Sequence, residues 1–220
     1  GGKVYLEYEP KVAAIGAGLD IFKPSGNMVI DMGGGTCDIA VLSLGDIVTS
    51  RSIRMAGDKL NADIANYIKD HHGLIIGEHT AEQIKIKLGT ALKVDDPKKM
   101  DVRGRDVTSG MPRQIETDEN EIEEALHDTL QQIVKAAISV LETVPPELAS
   151  DIIDRGIMLT GGTSLLNGVD QLFSDNLKVP VVVSQDPLDN VAKGAGEMLE
   201  RMQKNASDSG AKSSWFSRKK

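Results

Sequence analysis

Apolar residues recur along this chain at two spacings, every second position and every third or fourth, and the alternation between them predicts its elements. "KVYLEY" alternates well enough for a strand from Lys3 to Tyr8. The alanine-rich "EPKVAAIGAGL" suits a short helix, with Pro10 in its first turn, where a missing N–H costs little. Three strands follow, Met28–Met32, Cys37–Ser43 and Ile47–Met55, the last two joined by a tight "LGD" turn. Leu60, Ile64 and Ile68 stand four apart in an amphipathic helix over 58–73 that ends at Gly73. A second helix opens after "GEHT" and carries Ile84 and Leu88 on one face, and residues 98–117 read as two short strands around a glycine-containing connection.

The longest helix starts near Asp118, whose spacing to Glu121 resembles a capping box. Ile122, Leu126, Leu130, Ile133 and Ala137 keep helical spacing until about Thr143, and Pro145 and Pro146 end the run. Then "GIMLTGG", "TSLLNGVDQLFSDNL", "PVVVS" and "PLDNVAKGAGEMLERMQK" read as strand, helix, strand and helix. The order of elements gives an α/β domain over 1–57 and 118–205, interrupted by a small α+β insertion over 58–117. Residues 206–220 are rich in Ser, Gly and Lys and are expected to be flexible.

Composition narrows this picture. The chain has 220 residues, 40% of them apolar, enough for one core with an inserted subdomain. One Trp, three Tyr and three Phe leave the core to aliphatic side chains. No apolar run approaches the ~18 residues of a membrane span, and no leader of secretory type opens the chain. The opening "GGKVYLEYEP" reads as mid-fold sequence, so a longer parent protein is expected. Cys37 alone cannot form an internal disulfide; inside an apolar stretch it reads as a small buried hydrophobe in a reducing compartment. The four histidines lack metal-ligand spacing, and a net charge of −8 argues against nucleic acid, whose phosphates require clustered Lys and Arg.

Candidate chemistry sits in two strand–glycine turns. "VIDMGGGTCDIAVLS" runs from a strand ending at Asp31 through Gly33, Gly34, Gly35 and Thr36. Ordinary two-residue hairpins need only Asn-Gly or Asp-Gly. Successive backbone N–H groups free of side chains form a concavity suited to phosphate oxygens. Asp31 would repel that anion unless a cation lay between, and Mg²⁺ held through water by one carboxylate and shared with phosphates meets this need. "GIMLTGGTSLLNGV" repeats the pattern of strand, Gly-Gly turn and helix start, in which a ligand lies against backbone and helix N-terminus. Two such turns about 125 residues apart suggest one nucleotide held by both.

The first stretch resembles the second phosphate loop of the actin superfamily, the second its adenosine motif, and "YEPKVAAIGAGL" its connecting motif. "AGDKLNADIANYI", "GEHTAEQIKIKLG", "DVRGRDVTSGMPRQIE" and "VPVVVSQDPLDNVAKGAGEML" are similar to one branch only, the MreB-like bacterial actins, over about residues 1 to 203. The resemblance implies an actin-like (ribonuclease H-like) ATPase lobe, with subdomain IIA over 1–57 and 118–205 and an inserted subdomain IIB over 58–117. It implies an ATP-dependent filament former that maintains cell shape in the cytoplasm at the inner face of the membrane, with other copies of itself as partners.

By the same resemblance Glu9 orients the hydrolytic water, Asp31 holds the Mg²⁺ shell, and Gly33, Gly34, Gly35 and Thr36 contact the β- and γ-phosphates of ATP. Glu82 and Lys85, one helical turn apart, match contacts to ribose and base; read from spacing alone they are an exposed ion pair. Gly161, Gly162, Thr163 and Ser164 match the adenosine loop. The chain departs from the family pattern at Thr163, where a third glycine is usual, and at Gln83, where arginine is common. A Cβ at Thr163 would restrict positive φ and close approach to the nucleotide.

An actin-like site is clamped between two lobes, and only the second is represented here. Half a site implies negligible ATP turnover by this chain, against slow hydrolysis by the parent. The terminal "AKSSWFSRKK" adds Trp215, Phe216, Arg218, Lys219 and Lys220, which could meet an anionic membrane surface. Two further readings stay open: a monomeric actin-fold ATPase of chaperone or sugar-kinase type, and a module binding only a membrane or partner.

Overall fold

The computed structural model describes residues 6–216, with side chains to residue 204. The chain begins with α1 (Glu9–Gly16) and continues through β1 (Asn27–Met32), β2 (Cys37–Ser43) and β3 (Asp46–Ile53). Then come α2 (Gly57–His72), β4 (Leu74–Ile75), α3 (Glu78–Leu88), β5 (Lys99–Asp106), β6 (Pro112–Asp118) and α4 (Glu119–Leu141). The remainder is α5 (Pro146–Arg155), β7 (Ile157–Thr160), a 3₁₀ turn (Gly162–Leu165), α6 (Val169–Leu177), β8 (Val181–Val183) and α7 (Asn190–Phe216).

Two sheets carry these elements. The larger has the order β3-β2-β1-β7-β8, and β4-β5-β6 form the smaller. In the larger, β1 is central and wholly buried, antiparallel to β2 and parallel to β7. Period-2 alternation sends its side chains to opposite faces. Met28, Ile30 and Met32 join Ile39, Val41, Ile64, Ile133 and Phe173 in the main core under α2, α4 and α6, while Val29 packs with Ala14, Ile15, Ile21, Ala40 and Leu42 in a second core under α1. Asp31 shares the parity of Val29, and its register partner Asp38 that of Ala40 and Leu42, so both carboxylates lie on the α1 face.

On that face α1 and α7 cross with their backbones in close contact at two glycines. A Cβ on Gly16 would press into the Asn190 carbonyl, and one on Gly194 into the Val12 carbonyl. At the start of α7 the buried Asn190 lies 2.7 Å from Thr160 Oγ1 and 2.6 Å from Ser184 Oγ. With its amide oxygen accepting from those hydroxyls, its nitrogen donates to the carbonyls of Asp186 and Gly16, joining both helices to the sheet.

Several expectations change. The strand expected over Lys3–Tyr8 falls partly outside the described residues, and Leu6–Tyr8 are in no strand; they lead directly into α1. Pro10 is the second residue of that helix, where its missing N–H is harmless. The helix α5, with Pro146 at its start, occupies a stretch where none was expected. The helix expected directly after the second Gly-Gly turn is split: Gly168 takes a left-handed φ of 70° between the 3₁₀ turn and α6. The last helix runs on to Phe216, past the point where the sequence reads as flexible. Asp118 does cap α4, its Oδ1 accepting from the N–H of Asn120 and Glu121, each at 3.0 Å. Glu121 does not return the bond; its Oε2 accepts from Thr117 Oγ1 at 2.6 Å.

Candidate nucleotide site

The parallel pairing of β1 with β7 sets Asp31 beside Thr160, so both glycine turns leave the sheet at the carboxyl ends of neighbouring strands. Crevices outside those ends are where open α/β sheets bind ligands. Gly161 makes the approach possible. Its φ is +83°, and a Cβ there would meet the Met32 carbonyl and come within 2.6 Å of Asp31 Oδ1. Only glycine fits both conditions.

The first turn is held from behind. Gly33 N–H donates to Thr36 O at 3.0 Å, closing the turn. Gly33 O accepts from Gly57 N–H at 3.1 Å, and Gly34 O from Asp58 N–H at 2.8 Å, both at the start of α2. In a trans peptide the C=O and the following N–H point in opposite directions, and among the described residues there is no cis peptide bond. With the carbonyls of Gly33 and Gly34 turned toward α2, the N–H groups of Gly34 and Gly35 are turned away from it. Gly34, Gly35 and Thr36 are exposed. The turn therefore offers donors to solvent with no side chain over them, a surface suited to an anion.

Acids frame this surface. Asp31 is buried, and among the described residues no donor reaches its carboxylate. Burial first, then the charges of Glu9 and Asp38, push its pKa up from 3.8 to about 6. The exposed Glu9, at the first position of α1, is thus brought electrostatically next to Asp31. Asp58 faces the other side of the turn: a Cβ on Gly34 would lie 3.6 Å from its Oδ1 and one on Gly35 3.8 Å from its Oδ2. Sequence reading passed over Asp38 and Asp58. Strand register would have found the first, and its place in the opening turn of α2, where acids are favoured, pointed to the second.

The second turn closes the other side. Ser164 Oγ donates to Gly161 O at 2.7 Å, and Thr163 Oγ1 donates to Gly33 O at 3.1 Å. Thr163 needs no positive φ, because in this turn Gly161 takes it, so the restriction of φ expected from its Cβ does not arise. Lys85 turns inward: its Nζ donates to Gly57 O at 2.9 Å, and burial lowers its pKa against the opposing charges of Glu82 and Asp58. The ion pair with Glu82 that spacing allows is not formed, and Glu82 is exposed. Lys85 and Ile86 line a cavity of about 110 Å³ with Gly162, Thr163, Leu165 and Leu166. That is small beside the roughly 300–1,000 Å³ of ordinary ligand sites, as befits one wall of a cleft.

The structure thus brings together Glu9, Asp31, Gly33–Thr36, Lys85 and Gly161–Ser164 around the ends of β1 and β7. Glu82 lines none of this cavity. The residues expected to meet a membrane, Trp215, Phe216, Arg218, Lys219 and Lys220, lie outside the residues whose side chains are described. Among the described residues no helix is long and apolar enough to cross a membrane, and no group of three His, Cys, Asp or Glu could hold a metal ion. Burial pushes the Cys37 thiol up, out of reach of ionisation. The first turn thus offers donors to an anion, and Ile86, Leu165 and Leu166 form an aliphatic wall beside the second. The donor-free, buried Asp31 beside them fits a hydrated cation better than a direct metal ligand set.

Known proteins resemble this chain in sequence and fold. The cell shape-determining protein Mbl of Bacillus subtilis is 60% identical over 205 residues, covering 93% of this chain and 62% of its own length. The cell shape-determining protein MreB of Escherichia coli is 46% identical over 206 residues, covering 94% of this chain and 59% of its own. The crystal structure of MreB 5 of Spiroplasma citri bound to AMPPNP superimposes with a TM-score of 0.91 at 38% identity, over 94% of this chain and 62% of that one. The chain therefore spans about three fifths of the length of these relatives. The fold is that of an actin-like lobe, and the family model of the MreB/Mbl proteins matches residues 1–207. This chain belongs to the MreB/Mbl family of bacterial cell-shape proteins.

Proposed function

We propose that this chain is the second lobe of an ATP-binding, filament-forming cytoskeletal protein, and that it supplies one wall of an interlobe ATP site. The observation that carries the reading is the junction of the two glycine turns, with Gly161 packed on Asp31 and Thr163 bonded to Gly33. The N–H groups of Gly34 and Gly35 and the Thr36 hydroxyl would meet the phosphates. The apolar wall of Leu165, Leu166 and Ile86 would take the base, with Lys85 beside it. Asp31 would hold Mg²⁺ through water, and the ion would supply charge neutralisation between carboxylate and phosphate. Glu9, across the same face, would orient the attacking water.

That the Spiroplasma citri relative was solved bound to AMPPNP supports nucleotide binding in this family. The domain division belongs to the same proposal: subdomain IIA over 1–57 and 118–205, IIB over 58–117. So do assembly with other copies, a cytoplasmic location beneath the membrane, and contact of the C-terminal tail with anionic lipid, which rests on the sequence alone. Phosphoryl transfer depends on groups placed from both sides of the transferring phosphate. The chain by itself is therefore expected to bind Mg-ATP weakly and not to turn it over.

The test is a titration of ¹⁵N-labelled chain with Mg-ATP. Amides of Gly33–Thr36 and Gly161–Ser164 should shift together, with a dissociation constant on the order of a millimolar, and less without magnesium. Shifts confined to other surfaces, or none at either turn, would remove the reading. Micromolar binding would instead mean that this lobe holds nucleotide unaided.

A further inference from the structure

The Gly33 carbonyl is a meeting point for three separated parts of the chain. Thr163 Oγ1 and Gly57 N–H both donate to it, each at 3.1 Å, and so occupy both its lone pairs. Gly57 O in turn accepts from Lys85 Nζ at 2.9 Å, which ties α3 into the same cluster. Thr163 is only 4% exposed, so its hydroxyl has few other places to go. A glycine at that position, the usual residue in the resemblance drawn above, has no hydroxyl and cannot make this bond.

We infer that Thr163 is a positioning residue whose hydroxyl pre-sets the phosphate-facing turn, rather than a group that touches nucleotide. The Gly33 carbonyl and the Gly34 N–H share one rigid peptide plane and point in opposite directions. A bond that fixes the carbonyl therefore fixes the direction of the Gly34 N–H, the first donor of the turn. Glycine leaves that plane free to rotate, because Gly33 and Gly34 both lack the Cβ that narrows backbone freedom. Thr163 and the amide of Gly57 hold it from distant parts of the chain, and Asp58 N–H holds the next plane through Gly34 O. The donors are aimed before any ligand arrives, which lowers the ordering cost of binding. The consequence for affinity rests on the nucleotide reading of the turn; the geometry does not.

Two substitutions separate hydroxyl from shape. Thr163→Val keeps the branched outline and removes the donor, whereas Thr163→Ser keeps the donor. With ¹³C,¹⁵N-labelled chain, Thr163→Val should move the Gly33 carbonyl carbon upfield, shift the Gly34 amide and speed exchange of the Gly33 amide. Thr163→Ser should leave all three near their original values. Amides of β5 and β6, remote from the turn, report whether the variant remains folded; if Thr163→Val does not fold, Thr163→Gly replaces it. Mg-ATP affinity should fall roughly fivefold in the valine variant and return with serine. Unmoved Gly33 and Gly34 resonances in folded Thr163→Val, or no rescue by serine, would overturn the assignment. If the resonances move as expected but Mg-ATP perturbs neither turn of the unsubstituted chain, the positioning role is upheld and the nucleotide reading falls.

Discussion

Asp31→Asn should make this protein more stable at neutral and alkaline pH and leave it unchanged in acid. The carboxyl sits at about 6 rather than 3.8 because it is buried beside two other acids with no donor to satisfy it. In free-energy terms that displacement is about 3 kcal/mol against the ionised folded state. The folded chain holds the Asp31 proton more tightly than the unfolded chain does. Its stability therefore falls as pH rises from about 4 to about 6, and above that the full penalty applies. Asparagine has no charge to desolvate but still buries a polar amide, so the expected gain at pH 7 to 8 is about 1–3 kcal/mol, with almost none at pH 4. For a chain of this length that gain raises the melting temperature by about 2–4 °C per kcal/mol. Paired urea titrations of both proteins at each pH from 4 to 8 measure the difference directly. A constant difference across that range, or an Asp31→Asn variant less stable than the unsubstituted protein at pH 7, would refute the account. Glu9→Gln should give a smaller gain with the same pH dependence, since burial outweighs the Glu9 charge as a cause.

Two further substitutions probe the frame around the site. Gly194→Ala would drive a Cβ into the Val12 carbonyl, backbone against backbone, so it should cost at least about 2 kcal/mol and separate α1 from α7; a melting temperature equal to that of the unsubstituted protein would mean that the crossing is not tight. Asp118→Ala removes the acceptor for two N–H groups at the start of α4 and should cost about 1 kcal/mol in urea unfolding, with Asp118→Asn recovering most of the loss.

The legible parts of the fold were those written in local spacing. Leu60, Ile64 and Ile68 announce α2, and Gly73 closes it with the left-handed φ of 61° that such an end requires. The Asp31–Thr36 stretch was readable because three glycines before a hydroxyl have little use in an ordinary hairpin. What stayed hidden depends on contacts between distant positions. Nothing near Lys85 says that its ammonium turns to the Gly57 carbonyl instead of to Glu82, because the deciding partner is 28 residues away. Thr163 reads as an awkward replacement until Gly33, 130 residues earlier, is seen to accept its hydroxyl bond. The helix α5 escaped notice because only Ile152 is fully buried in it, too little to set a clear period. Leu6–Tyr8 alternate like a strand, yet no neighbouring strand pairs with them.

The parallel pairing of β1 with β7 also bears on when the site can exist. Register partners Asp31 and Thr160 are brought together only after everything between them has been synthesised and accommodated, including the whole of the smaller sheet. Such long-range closure is slow compared with helix or hairpin formation. A growing or truncated chain that ends before residue 157 would own the first glycine turn but neither its partner strand nor the Thr163 bond. Ligand recognition at this crevice would then work as a checkpoint on assembly of the larger sheet, sensing that two distant parts of the chain have found each other.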